Sequence, residues 1–157
     1  MAHEPRFDPE DPILARVTDL ALALPGARSK VSHGLPAFYT TKVFAYYGGS
    51  IKQPGGHIHH PHSLLVLPAD DRERTALLAE DRCFHPAYLG PYGWVGVDLD
   101  DDADWAEVAE LLEDSYRRTA PRALCDELDA RGAGPAGRSG QQPSGSTQPS
   151  PPQSGSM

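Results

Sequence analysis

The chain has 157 residues, with 14 Lys and Arg against 22 Asp and Glu, giving a formal charge of −8. That length suits one ordinary domain and excludes two sizeable cores. The acidic balance argues against a generic polyanion binder, and no apolar run approaches the roughly 18 residues that cross a bilayer.

Residues 131–157 are Gly, Pro, Ser or Gln at 21 of 27 positions and hold no Ile, Leu, Val, Phe, Tyr or Trp. They cannot bury enough apolar surface to offset their ordering entropy, so they read as a disordered tail. An N-terminal arm (1–11) and a domain (12–130) remain, and a core of that size needs no disulfide or metal staple. Cys83 and Cys125 lie far apart and make no disulfide framework. The opening MAHEPRFDPEDP has no positive stretch followed by an apolar one. Both features predict a cytoplasmic protein.

In chain order, Asp11-Pro12 opens a helix: Asp caps free N–H groups and Pro has no donor to waste. Ile13, Val17, Leu20, Ala21 and Leu24 follow helical spacing until Pro25-Gly26 ends it. The aromatic and β-branched run 37–47 (AFYTTKVFAYY) predicts two short strands turning near Thr40 to Lys42. Alternation sends Phe38 and Phe44 to the core and Tyr39, Tyr47 or both outward. Residues 48–62 (GGSIKQPGGHIHHPH) read as a loop, and Ser63–Leu67 as a short apolar strand. Asp70 and Asp71 cap a helix over about 72–80. Residues 84–93 are irregular, and Trp94–Leu99 is a strand. The longest helix covers about 103–119, with Trp105, Val108, Leu112 and Tyr116 as its buried stripe and Leu111 at the edge. Pro121 starts a last short helix with Leu124 and Leu128 inward. This order predicts an α+β class, a small antiparallel sheet with helices packed on one face.

The loudest local pattern is His57, His59, His60 and His62. Neutral imidazoles are common zinc ligands, and three of these could reach one ion if the loop folded back. The run is superficially like the His-x-His-x-Asp-His of metallo-β-lactamase-like hydrolases. Pro61 stands where that run needs Asp, so the favoured reading is a solvated loop without a metal. The acidic run from Asp98 to Asp104 fails the EF-hand pattern at its sixth and twelfth positions and reads as helix capping. Gly90, Gly93 and Gly96 precede no helix and make no dinucleotide fingerprint. There is no Walker loop and no Gly-x-Ser-x-Gly elbow. No enzyme, no catalytic residue and no cofactor is expected.

Charge is unevenly placed. From Leu20 to Ala69 there is no Asp or Glu, while Arg28, Lys30, Lys42 and Lys52 lie there with five of the seven His. From Asp98 to Asp114 nine of 17 residues are acidic and none is basic. These blocks predict one weakly positive and one strongly negative face.

Several pieces taken in order resemble a known family. They are Leu24-Pro25-Gly26, Gly34-x-Pro36-Ala37-Phe38, Lys42-Val43-Phe44-Ala45 and His85-Pro86-Ala87-Tyr88 leading to Gly93-Trp94-Val95. Last come Ser115-Tyr116-Arg117 and Ala120-Pro121-Arg122. Over about residues 12–128 the chain resembles the MmcQ/YjbR family of small bacterial proteins. The resemblance implies a CyaY-like α+β domain, similar to the double-wing shape of a transcription-factor domain, and through that shape DNA binding. The sequence departs from the family in the insert at 48–62 and in the tail. Residues 1–130 carry 12 basic and 22 acidic side chains, a net −10, so DNA binding would be weak and salt-dependent.

Two partners are therefore expected in the alternative. A nucleic acid would meet Arg28, Lys30, His33, Tyr39, Lys42 and Lys52. A planar small aromatic ligand, such as a drug or metabolite, would sit in an apolar pocket of Phe38, Tyr39, Tyr46, Tyr88, Tyr92 and Trp94. A third reading is a protein–protein adaptor acting through the acidic helix.

Overall fold

The computed structural model describes residues 7–132. The chain divides at Pro121 into two compact units. The described part of the second is one helix, α4 (Arg122–Gly132), with half-buried Leu124 and Leu128 and ion pairs Arg122–Asp126 and Arg131–Glu127. The helix passes residue 131, where the tail was expected to begin; residues 133–157 and 1–6 lie outside the described residues. No helix among the described residues is long and apolar enough to cross a membrane.

The first unit runs α1 (Pro12–Leu22), β1 (Arg28–Ser32), β2 (Leu35–Tyr39), β3 (Val43–Gln53), β4 (Gly56–Val66) and α2 (Asp71–Leu78). It continues with β5 (Cys83–Phe84), a 3₁₀ turn (Gly90–Tyr92), β6 (Val95–Asp98) and α3 (Trp105–Thr119). All pairings are antiparallel, in the order β1-β2-β3-β4-β6-β5, and the fold is α+β.

The helix starts are where the acidic residues place them. Asp11, Asp70 and Asp104 each accept backbone N–H bonds at the first turns of α1, α2 and α3. On α3, Val108, Leu111, Leu112, Ser115 and Tyr116 are buried, so Leu111 belongs to the core. Trp105 is only half-buried and lies under the Arg16 guanidinium. Ser115 replaces an apolar contact with two bonds, donating to Phe44 O and accepting from Leu67 N. Tyr116 meets Phe44 edge-on and donates to Pro25 O at 2.6 Å.

One expectation is corrected here and another is narrowed, Tyr39, not Tyr47, being the outward tyrosine of the pair. Residues 48–62 are not a loop: they are the outer halves of β3 and β4, one long hairpin closed at Pro54-Gly55. Gln53 pairs with Gly56, and Gly55 takes φ 86°, a backbone that a glycine adopts without strain. Pro61, which has no N–H to give a ladder, falls in the register shift between the Tyr47–Leu64 and Gly49–His60 pairs. Tyr47 also faces inward. Tyr39 pairs with Val43 and Phe38 with Ala45, so Phe44 is an extra residue in a bulge. The bulge breaks alternation and sends Phe44, Ala45 and Tyr47 all into the core, while Tyr46 turns to the other face.

Tyr47 ends at a buried carboxylate. Its hydroxyl donates to Asp11 Oδ2 at 2.6 Å, His62 Nδ1 lies 2.8 Å from the same oxygen, and Asp11 Oδ1 accepts from Ile13 N. Asp11 is 6% exposed. Burial pushes its pKa up, but the Tyr47, Ile13 and His62 hydrogen bonds and the His62 charge outweigh it, so the net direction is down. Burial and the same carboxylate push the Tyr47 phenol the other way, upward.

On the sheet's second face, Leu65, Phe84 and Trp94 form a smaller cluster with Tyr46, Ile51 and Leu89 packed around it. The Phe84 ring lies directly on Gly96, its cross-strand partner.

Two predictions follow from these contacts. Asp11, with its lowered pKa, contributes stability above its ordinary value of 3.8 and loses it as pH falls through the folded value. Tyr47→Phe should therefore cost about 2 kcal/mol in urea unfolding at pH 7, and that gap should shrink at pH 3; an equal gap at both would remove Asp11 from the account. Gly96→Ala should cost about 1–3 kcal/mol by driving Cβ into the Phe84 ring. Adding Phe84→Leu should recover part of that loss, whereas simple additivity in a double-mutant cycle would contradict the contact.

Candidate nucleic-acid interface and the groove beside it

β1 is an edge strand, and its register with β2 places Arg28 opposite Tyr39 and Lys30 opposite Ala37. Arg28, Lys30 and Tyr39 therefore share one face. The Lys30 ammonium sits 4.7 Å from the centre of the Tyr39 ring and the Arg28 guanidinium 6.0 Å, both within cation–π range. Lys42 is exposed in the turn between β2 and β3, next to the Tyr39–Val43 pair. Lys52 stands at the other end of β3, about 30 Å away at the rise of an extended strand, opposite His57. His33 occupies the β1–β2 turn: His33 and Gly34 take φ 55° and 82°, the twist a two-residue hairpin needs. The structure thus gathers Arg28, Lys30, Tyr39 and Lys42 at one end of the sheet and leaves His33 and Lys52 apart from them.

Several other cations are engaged. Arg82 bridges Glu80 and Glu107, Arg117 pairs with Glu113, and Arg118 donates to Pro68 O. Since β1–β4 contain no carboxylate, none lies on those strands to neutralise Arg28, Lys30 or Lys52.

The four clustered His do not converge. His62 joins Asp11 and Tyr47. His60 stacks on Phe84 at 4.1 Å and lies 2.8 Å from Asp98 Oδ1. His57 and His59 turn instead to a groove on the β3–β4 hairpin. Among the described residues no group of three or more His, Cys, Asp or Glu is placed to hold a metal ion. Ser63 is buried with its hydroxyl spent on His60 O. Burial raises the half-buried Cys83 thiol to about 11, so it keeps its proton.

The groove has a volume of about 390 Å³. Leu35, Tyr46 and Leu65 floor it, Ser32, Ser50, His33, His57 and His59 supply polar groups, and Ala87, Tyr88 and Leu89 form a wall. A second recess of about 310 Å³ continues it along Leu35, Gly49, Ser50, His59 and Pro61. The wall is pinned by Ala87 N donating to Ser50 O at 2.7 Å. Leu89 N then bonds Ala87 O, closing a three-residue turn around Tyr88 at φ 68°. For a tyrosine that backbone costs about 1–3 kcal/mol. It holds the ring 70% exposed, with its hydroxyl 3.3 Å from His57 Nε2.

The expected aromatic pocket is therefore only partly assembled. Tyr46 and Tyr88 line the groove, whereas Phe38 is buried in the core and Trp94 sits behind Tyr46 at 5.7 Å. Tyr92 is exposed in the 3₁₀ turn, and Tyr39 belongs to the Arg28–Lys30 cluster. Sequence reasoning misses Ser50 because it takes the β3–β4 hairpin for a loop, although the Pro-Gly at 54–55 signals its turn, and misses Ser32 because exposed β1 lacks apolar alternation.

No curated protein matches the chain. The crystal structure of the Deinococcus radiodurans protein DR2400, a DUF419 domain, is similar in fold: TM-score 0.52 and 20% identity, covering 82% of this chain and 94% of that one. The family model described as YjbR matches residues 22–118, the segment that holds β1 to β6 and nearly all of α3. The chain belongs to the YjbR family.

Proposed function

We propose that the protein is a non-enzymatic, cytoplasmic binding domain that contacts nucleic acid through β1 and the β2–β3 turn. The observation that carries this reading is the convergence of Arg28 and Lys30 on the exposed side of Tyr39, with Lys42 beside them and no carboxylate anywhere in β1–β4. A guanidinium and an ammonium bind backbone phosphates, and the tyrosine ring beneath them holds both cations at one place on the sheet. The acidic residues of α3 lie on the helix that covers the opposite face of the sheet, so their repulsion acts at a distance and is screened by salt.

Few phosphates are contacted, so affinity is low and its salt dependence modest. Three or four contacts give a slope of about −3 to −4 in log K against log salt. The contacts are to the backbone, so the edge strand of five residues favours no base sequence over another.

Fluorescence anisotropy of a labelled 20-base-pair duplex, titrated with the full chain in chelator, measures this directly. Binding should saturate at low salt, weaken with that slope, and fall more than about tenfold in Arg28→Glu and in Lys30→Glu, each an exposed site. Arg131→Glu, at a cation already paired, should leave it unchanged. Absence of binding at about 25 mM salt, where electrostatics is most favourable, would end this reading.

A further inference from the structure

We infer that the groove along the β3–β4 hairpin is a separate binding site for a small planar aromatic carboxylate. Its volume of about 390 Å³ lies in the range of small-ligand clefts. Tyr46 and Tyr88 offer ring faces, and Leu35 and Leu65 an apolar floor. The polar groups are one-sided: His57, His59 and Ser50 can each donate a hydrogen bond, and no carboxylate lines the site. A cationic ligand would find no counter-charge here. An anionic ring finds hydrogen-bond donors and two aromatic side chains in the same groove.

The wall argues for a held site over a chance hollow. Tyr88 keeps a left-handed backbone conformation that a tyrosine rarely adopts, locked by the Ala87–Ser50 and Leu89–Ala87 bonds. Relaxing that turn would swing the ring off the groove. His57 steadies the ring from the hairpin side through its contact with the Tyr88 hydroxyl. The site uses none of Arg28, Lys30, Tyr39 or Lys42, so it stands or falls apart from the nucleic-acid reading.

The test is a titration of the ¹⁵N-labelled full chain with 2-naphthoate, with 2-naphthalenemethanol as the neutral analogue and cyclohexanecarboxylate as the non-planar anion. Amide shifts for 2-naphthoate should concentrate at Tyr46, Ser50, His57, His59 and Ala87 to Leu89. Its affinity should exceed that of either analogue by about tenfold, the worth of one charge-assisted hydrogen bond or one ring contact. The double variant His57→Leu, His59→Leu, which removes both imidazole donors, should cut the preference for carboxylate over alcohol several-fold while keeping alcohol binding. Tyr88→Gly should weaken both aromatic ligands without lowering the melting temperature, since it relieves the strained φ. No shifts at about 5 mM probe, shifts mapping elsewhere, or equal binding of the alcohol would each overturn the assignment.

Discussion

A carboxylate removed from water ties the first helix to the sheet. Asp11 begins the first helix, Tyr47 sits in the middle of β3, and His62 lies in the irregular stretch of β4; all three meet within hydrogen-bond distance. A buried carboxylate with too few donors is costly, so each partner must arrive for the others to be stable. Those bonds tie the start of α1 to β3 and to β4, on whose outer halves the groove lies.

The second organising feature is the separation of charge between layers. Strands β1 to β4 carry only cations and imidazoles, while α3 and the residues before it concentrate the carboxylates. Helix starts explain part of this, because Asp11, Asp70 and Asp104 each cap one. They do not explain the absence of acids from 50 consecutive residues. A protein with a net negative charge thus keeps four consecutive strands, β1 to β4, free of carboxylates.

The helices and the class of fold were legible because caps and spacing are local signals. Asp11-Pro12 and Asp104 mark α1 and α3 within one or two residues. The strands were less so, for reasons particular to each. β1 (RSKVS) is exposed along most of its length, so it lacks the apolar alternation that announces a strand. The β3–β4 hairpin hides in a stretch dense in Gly, Pro and His that resembles a loop by composition. Tyr47 could not be oriented from alternation, because a bulge at Phe44 resets the count. Of the candidate site, the cluster of Arg28, Lys30, Tyr39 and Lys42 was readable as residues but not as a cluster. Of the groove only Tyr46 and Tyr88 were readable, since its walls come from β1, β2, β3, β4 and the strained turn at Tyr88.

The position of β1 at the rim of the sheet has a further consequence. An outermost strand with unpaired backbone groups invites a second molecule to continue the sheet, the first step toward aggregation. Arg28 and Lys30 on that rim make such stacking repulsive, because two copies would bring like charges together. The same two cations therefore oppose edge-to-edge pairing at this strand, a role that belongs to the sheet itself and is separate from any binding.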